Sequence, residues 1–219
     1  MRYADRQAAG SALGKQLRAA APWPADTVVL GLPRGGVLVA AGVAQALAAP
    51  LDVLVVRKLG LPWQPELAMG AIAAVGDAVE TVRVESVLAA ANVAPETFEA
   101  VRERELGELR RREEAYRGGR PPVAVTGRTV IVVDDGLATG ATMRVAVVAV
   151  RRQAPRAVLA AVPVGSPAAC SAMADDVDEL VCLSAPLAFR AVGQAYADFS
   201  ETSDAEVRAV LGQAGGPPS

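Results

Sequence analysis

Residues 129–143 read TVIVVDDGLATGATM. Val130-Ile131-Val132-Val133 is apolar, β-branched and preceded by Gly127, the pattern of a strand buried on both faces of a parallel sheet. The run stops at two acids, Asp134 and Asp135. A loop of small residues follows, Gly136 to Gly140, with hydroxyls at Thr139 and Thr142, and a helix is expected over about Ala141–Arg152. In open α/β sheets the ligand lies beyond the carboxyl ends of the strands. A helix start offers unpaired N–H groups and the positive end of its dipole, so a phosphate fits there. Glycine and alanine let the backbone come close to it. A phosphate alone would disfavour two neighbouring carboxylates. A phosphorylated sugar reconciles them: the acids accept from ribose hydroxyls while the loop holds the phosphate, and a divalent cation eases the charge repulsion.

Working outward, a second unit of the same kind lies upstream. Thr27–Gly31 reads as the first core strand, running into Leu32-Pro33-Arg34-Gly35-Gly36 and then an apolar helix from about Val37 to Ala48. The glycines free the backbone, and Arg34 supplies a planar fork of donors suited to phosphate. Alone, Arg-Gly-Gly before a helix is equally well a tight turn. Leu51–Val56 reads as the next strand, ending in Arg57-Lys58, two cations on the same side of the sheet as the other loops. They suit a polyanion, or else a solvated strand end. Leu59–Glu66, with two prolines and Trp63, reads as a mobile lid.

The stretch VVDDGLATGATM resembles the signature of type I phosphoribosyltransferases, which bind 5-phosphoribosyl-1-pyrophosphate (PRPP). With Ala138 it is most similar to the adenine phosphoribosyltransferase form. LPRGG resembles the family's pyrophosphate loop, and RKLGLPWQPELAMGA looks like one branch of uncharacterised phosphoribosyltransferase-like proteins. The resemblance implies a doubly wound, mainly parallel α/β sheet with flanking helices, a small hood and a β-hairpin flexible-loop region. It implies Mg²⁺, PRPP and a nucleobase-like small-molecule acceptor, with inversion at the anomeric carbon and release of pyrophosphate. On this reading Asp134, Asp135, Arg34 and Lys58 are catalytic. Leu137, Ala138, Thr139, Gly140, Ala141 and Thr142 hold the 5′-phosphate, and Gly35, Gly36 and Arg57 contact pyrophosphate. Asp134 and Asp135 meet the metal directly or through water or ribose hydroxyls. The hypoxanthine-guanine branch carries an acid where this chain has Ala138. Either the acceptor needs no such base, or Glu66 serves, or the acceptor is not a purine. Two other readings stay open: a regulator that senses PRPP without transferring it, and a hydrolase of phosphoribosyl compounds.

The rest of the chain bounds these readings. Its 219 residues suit one domain, with a core at about 27–183 and a hood made by the two terminal segments. It is 52% hydrophobic and only 4% aromatic, so the core is aliphatic, and the net charge of −2 argues against sequence-independent nucleic-acid binding. There is no histidine, which removes His triads, His bases and His metal ligands together. Cys170 and Cys182 read as buried small hydrophobes of a reduced cytoplasm. The charged N-terminus lacks a signal-peptide core, and Gly35–Leu51 is too short to span a bilayer.

Further elements follow in order. Residues 3–20 read as a helix with Leu13 and Leu17 on one face. Met69–Val75 and Ala78–Val84 read as a hairpin, 85–93 as a short helix and Glu96–Arg117 as a long charged one. Arg110-Arg111-Arg112 reads as solvated, because acids flank it. Ala157–Val162, a helix to about Ala174 and a strand over Glu179–Leu183 complete a parallel βαβαβ series. Phe189, Tyr196 and Phe199 either stack on an acceptor base or seal the sheet edge. Ser203 to Glu206 caps a last helix, and the terminal GGPPS is expected to fray. A homodimer is expected from the family resemblance alone.

Overall fold

In the computed structural model, residues 2–20 and 22–214 are described; the terminal GGPPS lies outside them. Elements run α1 (Arg6–Ala20), β1 (Val28–Gly31), α2 (Gly35–Leu47), β2 (Leu51–Val53), β3 (Val56–Leu61), β4 (Gln64–Val75) and β5 (Ala78–Arg83). Then come α3 (Glu85–Ala90), α4 (Pro95–Arg117), β6 (Thr129–Val133), α5 (Ala141–Arg152) and β7 (Ala157–Val162). The chain finishes with α6 (Pro167–Ala174), β8 (Glu179–Cys182), a 3-10 turn (Val192–Ala195) and α7 (Asp204–Ala214).

The apolar runs form one parallel sheet in the order β2-β1-β6-β7-β8. Its strands are buried on both faces, as their unalternating sequences require. Val29, Ile131 and Leu159 face a layer that includes Leu13 and Leu17 of α1 and Val39 and Val43 of α2. Val28, Val130 and Val158 face Val147 and Val150 of α5 and Met173 of α6. Each fully buried Val or Leu contributes about 1.5–3 kcal/mol relative to exposure, so the two faces together hold the sheet. From β1 the chain crosses through α2 to β2 on one side; from β6 it crosses through α5 to β7 on the other. The order therefore reverses between β1 and β6, the place where open α/β sheets bind ligands. In that pair Gly31 is in register with Val133.

A second sheet departs from the sequence reading. β3, β4 and β5 form a three-stranded antiparallel sheet. Leu59–Glu66 is thus the end of a hairpin and not an irregular loop: residues 59–61 continue β3, Pro62 and Trp63 make a tight turn, and β4 begins at Gln64. Gly60 sits at a register shift, where an added Cβ would strike the Pro65 carbonyl, so the prolines belong to an irregular hairpin end. Trp63 at the turn is 61% exposed.

Helix α4 packs Phe98, Val101 and Leu109 inward. Its last turn holds an ion pair without a sequence signature. Arg117 Nε donates to both Asp52 oxygens, at 3.0 and 3.2 Å, and Asp52 also accepts from the Val53 and Val123 amides. With both side chains under 10% exposed, losing one partner would strand a buried charge at a cost of about 3–5 kcal/mol. Outward, Glu108 accepts from Arg111 and Arg112 at 2.8 Å each, the helical spacing expected of a solvated face. No helix among the described residues is long and apolar enough to cross a membrane.

Candidate functional site

Two loops meet at the carboxyl ends of β1 and β6. Leu32 donates its N–H to the Val133 carbonyl at 2.9 Å, so the loop after β1 begins tied to the strand that ends in the acids. Contact is closest at the glycines. A Cβ on Gly36 would lie 2.8 Å from Asp134 Oδ1, and one on Gly35 would fall on Asp135 Oδ2 and within 2.5 Å of Arg6 Nε. Only glycine allows this approach. The Pro33–Arg34 peptide is cis. Arg34 N-caps α2, and its side chain pairs with Glu201 of the C-terminal segment.

The acids differ in their partners. Asp134 Oδ1 accepts the Asp135 N–H at 2.8 Å. Burial first, and then the Asp135 charge, push the Asp134 carboxyl well above its ordinary pKa, against the opposing Asp135 N–H and Arg6. Asp135 Oδ2 accepts from Arg6 Nε at 2.8 Å. Tyr196 donates its hydroxyl to the Asp135 carbonyl at 2.6 Å. Burial, followed by the Asp135 charge, raises the Tyr196 pKa, so the phenol remains a donor.

Beyond the acids, Leu137 is buried, Ala138 and Thr139 are exposed, and Gly140 turns at φ 76° into α5. Ala141 donates its N–H to Thr139 Oγ1 at 3.4 Å. The helix's own ladder begins with Arg144 donating to Gly140, which leaves the amides of residues 141–143 outside it. Thr142 lies half-buried in that first turn. The loop rests on the β7–α6 connection. Leu137 donates to the Val164 carbonyl, Ser166 N–H to the Leu137 carbonyl, and Ser166 Oγ to the Ala138 carbonyl at 2.8 Å. Ser166 Oγ also accepts the Ala169 N–H and so caps α6. Behind this support, Cys170 and Cys182 are free thiols with Sγ atoms 3.3 Å apart. They are half-buried rather than fully enclosed, and burial is the first cause of a Cys182 pKa pushed up to about 12.

Arg34, Gly35, Gly36, Asp134, Asp135 and the 137–142 loop thus come together, but the two cations after Val56 do not join them as expected. Both lie inside β3. Arg57 donates to Glu105 Oε2 of α4, at 3.0 Å from Nε and 2.6 Å from Nη2. Strand alternation turns Lys58 the other way, where it is exposed, with no ion-pair partner among the described residues. Glu66 is exposed near the hairpin tip.

Terminal segments supply what the motifs did not. Tyr3 forms a bridge with Tyr196, so the first helix begins at Arg6 and not at residue 3. Arg6 enters the acidic pair from α1. Tyr196 stacks on Phe199 at 5.1 Å, and the Arg6 guanidinium lies 4.1 Å over the Phe199 ring. An arginine in a charged N-terminal helix gives no local sign of this, since Asp135 is 129 positions away. Among the described residues, no group of three or more His, Cys, Asp or Glu gathers for a metal.

A model described as the phosphoribosyl transferase domain matches residues 7–199. Two Mycobacterium tuberculosis proteins, from strains CDC 1551 and H37Rv and provisionally named phosphoribosyl transferases, are 46% identical over 212 residues. The match covers 97% of this chain and 47% of each relative, so the chain spans about half the length of the curated relatives it matches. The crystal structure of TT1426 from Thermus thermophilus superposes with a TM-score of 0.85 at 44% identity, covering 99% of this chain and 100% of that one.

Proposed function

This chain belongs to the phosphoribosyl transferase domain family, and from that premise we propose that it is a Mg²⁺-dependent phosphoribosyltransferase. It binds PRPP and transfers the phosphoribosyl group to a nucleobase-like acceptor, releasing pyrophosphate. One observation carries the reading: the Arg34–Gly36 loop and the Asp134-Asp135 pair sit against each other at the β1/β6 switch point, close enough that only glycine fits at 35 and 36.

The chemistry follows from that juxtaposition. Asp134 and Asp135 accept from the ribose hydroxyls and balance positive charge growing on the sugar. The amides of residues 142 and 143, and that of Ala141 once it leaves Thr139 Oγ1, hold the 5′-phosphate together with Thr139 and Thr142. Gly35 and Gly36 admit the pyrophosphate, and Arg34 changes partner from Glu201 to this anion. The bond from the anomeric carbon to the pyrophosphate oxygen breaks and its electron pair leaves with pyrophosphate. The acceptor nitrogen forms the new bond and passes its proton to the departing pyrophosphate or to water. Ala138 supplies no base for that proton.

The acids also fit Mg²⁺. They offer hard oxygen donors but only two carboxylates, with one oxygen of each already hydrogen-bonded. That suits an ion that keeps waters and completes its shell from substrate phosphates. When bound, it supplies neutralising charge for the pyrophosphate. Tyr3–Arg6 and Tyr196–Glu201 form the hood, where Phe199 is 38% exposed beside the acids.

Pyrophosphate release from PRPP and Mg²⁺ against a panel of nucleobases tests the proposal. The expected result is release that depends on one acceptor class. Equal release without any acceptor would make the protein a hydrolase, and PRPP binding with no release under any acceptor would make it a sensor; either overturns the transferase reading.

A further inference from the structure

The geometry around Arg6 assigns it a role in the site that no motif marks. Its position is fixed from both sides. Asp5 caps α1 by accepting the Ala8 N–H at 2.7 Å. Tyr3 donates to the Ala195 carbonyl and accepts from the Ala197 N–H, each at 2.7 Å, and Asp198 donates to the Ala4 carbonyl at 2.8 Å. From this clamp the side chain makes three directional contacts. Nε donates to Asp135 Oδ2 and Nη1 to the Ser200 carbonyl, both at 2.8 Å, while the guanidinium lies over Phe199. Arg6 and Asp135 are 11% and 17% exposed. A solvated pair would contribute little, but a sheltered, planar fork with three fixed partners sets an orientation that a lysine ammonium cannot reproduce.

Resting on the phosphoribosyl reading above, we propose that Arg6 is a positioning residue for that site. Acting through Asp135, it turns the carboxylate so that the remaining oxygen meets the ribose hydroxyls. Tyr196 fixes the same residue through its backbone carbonyl, so the hood orients the acid from two directions. Arg6 therefore ties the clasp of the terminal segments to recognition of the sugar half of PRPP. The pyrophosphate half is served by the Arg34–Gly36 loop.

Splitting PRPP into its halves tests this. The full chain would be titrated calorimetrically with ribose 5-phosphate and, separately, with pyrophosphate, each with Mg²⁺. For Arg6→Gln the expected result is ribose 5-phosphate binding weakened about tenfold, about 1.4 kcal/mol, with pyrophosphate within about twofold of wild type. Arg6→Lys should recover only part of the loss, about three- to fivefold weaker than wild type. Phe199→Leu, which keeps the charge and removes the stacking surface, provides a second variant should Arg6→Gln fold poorly by circular dichroism; it should weaken the sugar phosphate alone by about threefold. Unchanged ribose 5-phosphate affinity in folded Arg6→Gln, or equal losses for both ligands, overturns the assignment. A wild type that binds neither half overturns the phosphoribosyl reading along with it.

Discussion

Gly35 and Asp135 are far apart in the chain, yet each leaves no space for a larger partner. The sequence motifs made both legible, because a small-residue loop after a buried strand and a paired acid after another are local patterns. Arg6 and Glu105 were not legible, because each is recognised only by the distant residue it bonds, Asp135 and Arg57. Arg57 shows the limit of local reading: a cation after an apolar run suits an anion, but a glutamate on α4 reaches it first. Gly35→Ala separates site from scaffold. Residue 35 opens α2, where alanine is favoured over glycine by up to about 1 kcal/mol, but its methyl would fall on Asp135 Oδ2. PRPP affinity should fall at least about tenfold, with a melting shift under about 4 °C. A variant that binds PRPP like wild type would contradict the packing.

At the scale of elements, the parallel strands were readable because burial on both faces demands continuous apolar runs. The β3–β4 hairpin was not. Its outer half is exposed, so Gln64-Pro65-Glu66-Leu67 carries no alternation, and the prolines read as a loop while standing at the hairpin's irregular tip. The junction of β7 with β8 has a device of its own. Asp178 Oδ2 accepts the Val158 N–H at 2.6 Å, and the Asp178 N–H returns a bond to the Val158 carbonyl at 2.9 Å. That backbone donor is the first cause of a depressed Asp178 pKa. A depressed folded-state pKa contributes stability above the unfolded value, near 3.9, that is lost as pH falls through the folded one. Asp178→Asn should therefore melt below wild type at neutral pH, and the gap should close as pH falls below the ordinary carboxylate range. A gap independent of pH, followed by thermal unfolding, would contradict the charged hydrogen bond.

For the whole molecule, the five-stranded parallel sheet and a clasp between the N-terminal and C-terminal segments meet at the acidic pair after β6. The parallel sheet followed from the order of strands and helices, whereas the β1/β6 switch point came only with the structure. The clasp of Tyr3, Arg6, Tyr196 and Phe199 did not, since aromatics near a terminus suit a base or a sheet edge equally well; here Tyr3 and Tyr196 close a small core, and Tyr196 and Arg6 hold the acid. The fold, the meeting of the two loops and the family support the sugar-phosphate site proposed above. Its most direct test is calorimetric titration with PRPP, with and without Mg²⁺, on wild type and on the Asp134→Asn/Asp135→Asn double variant. The account predicts Mg²⁺-dependent binding by wild type that the folded double variant loses. A folded wild type that leaves PRPP unbound, or a double variant that binds it equally well, would contradict it.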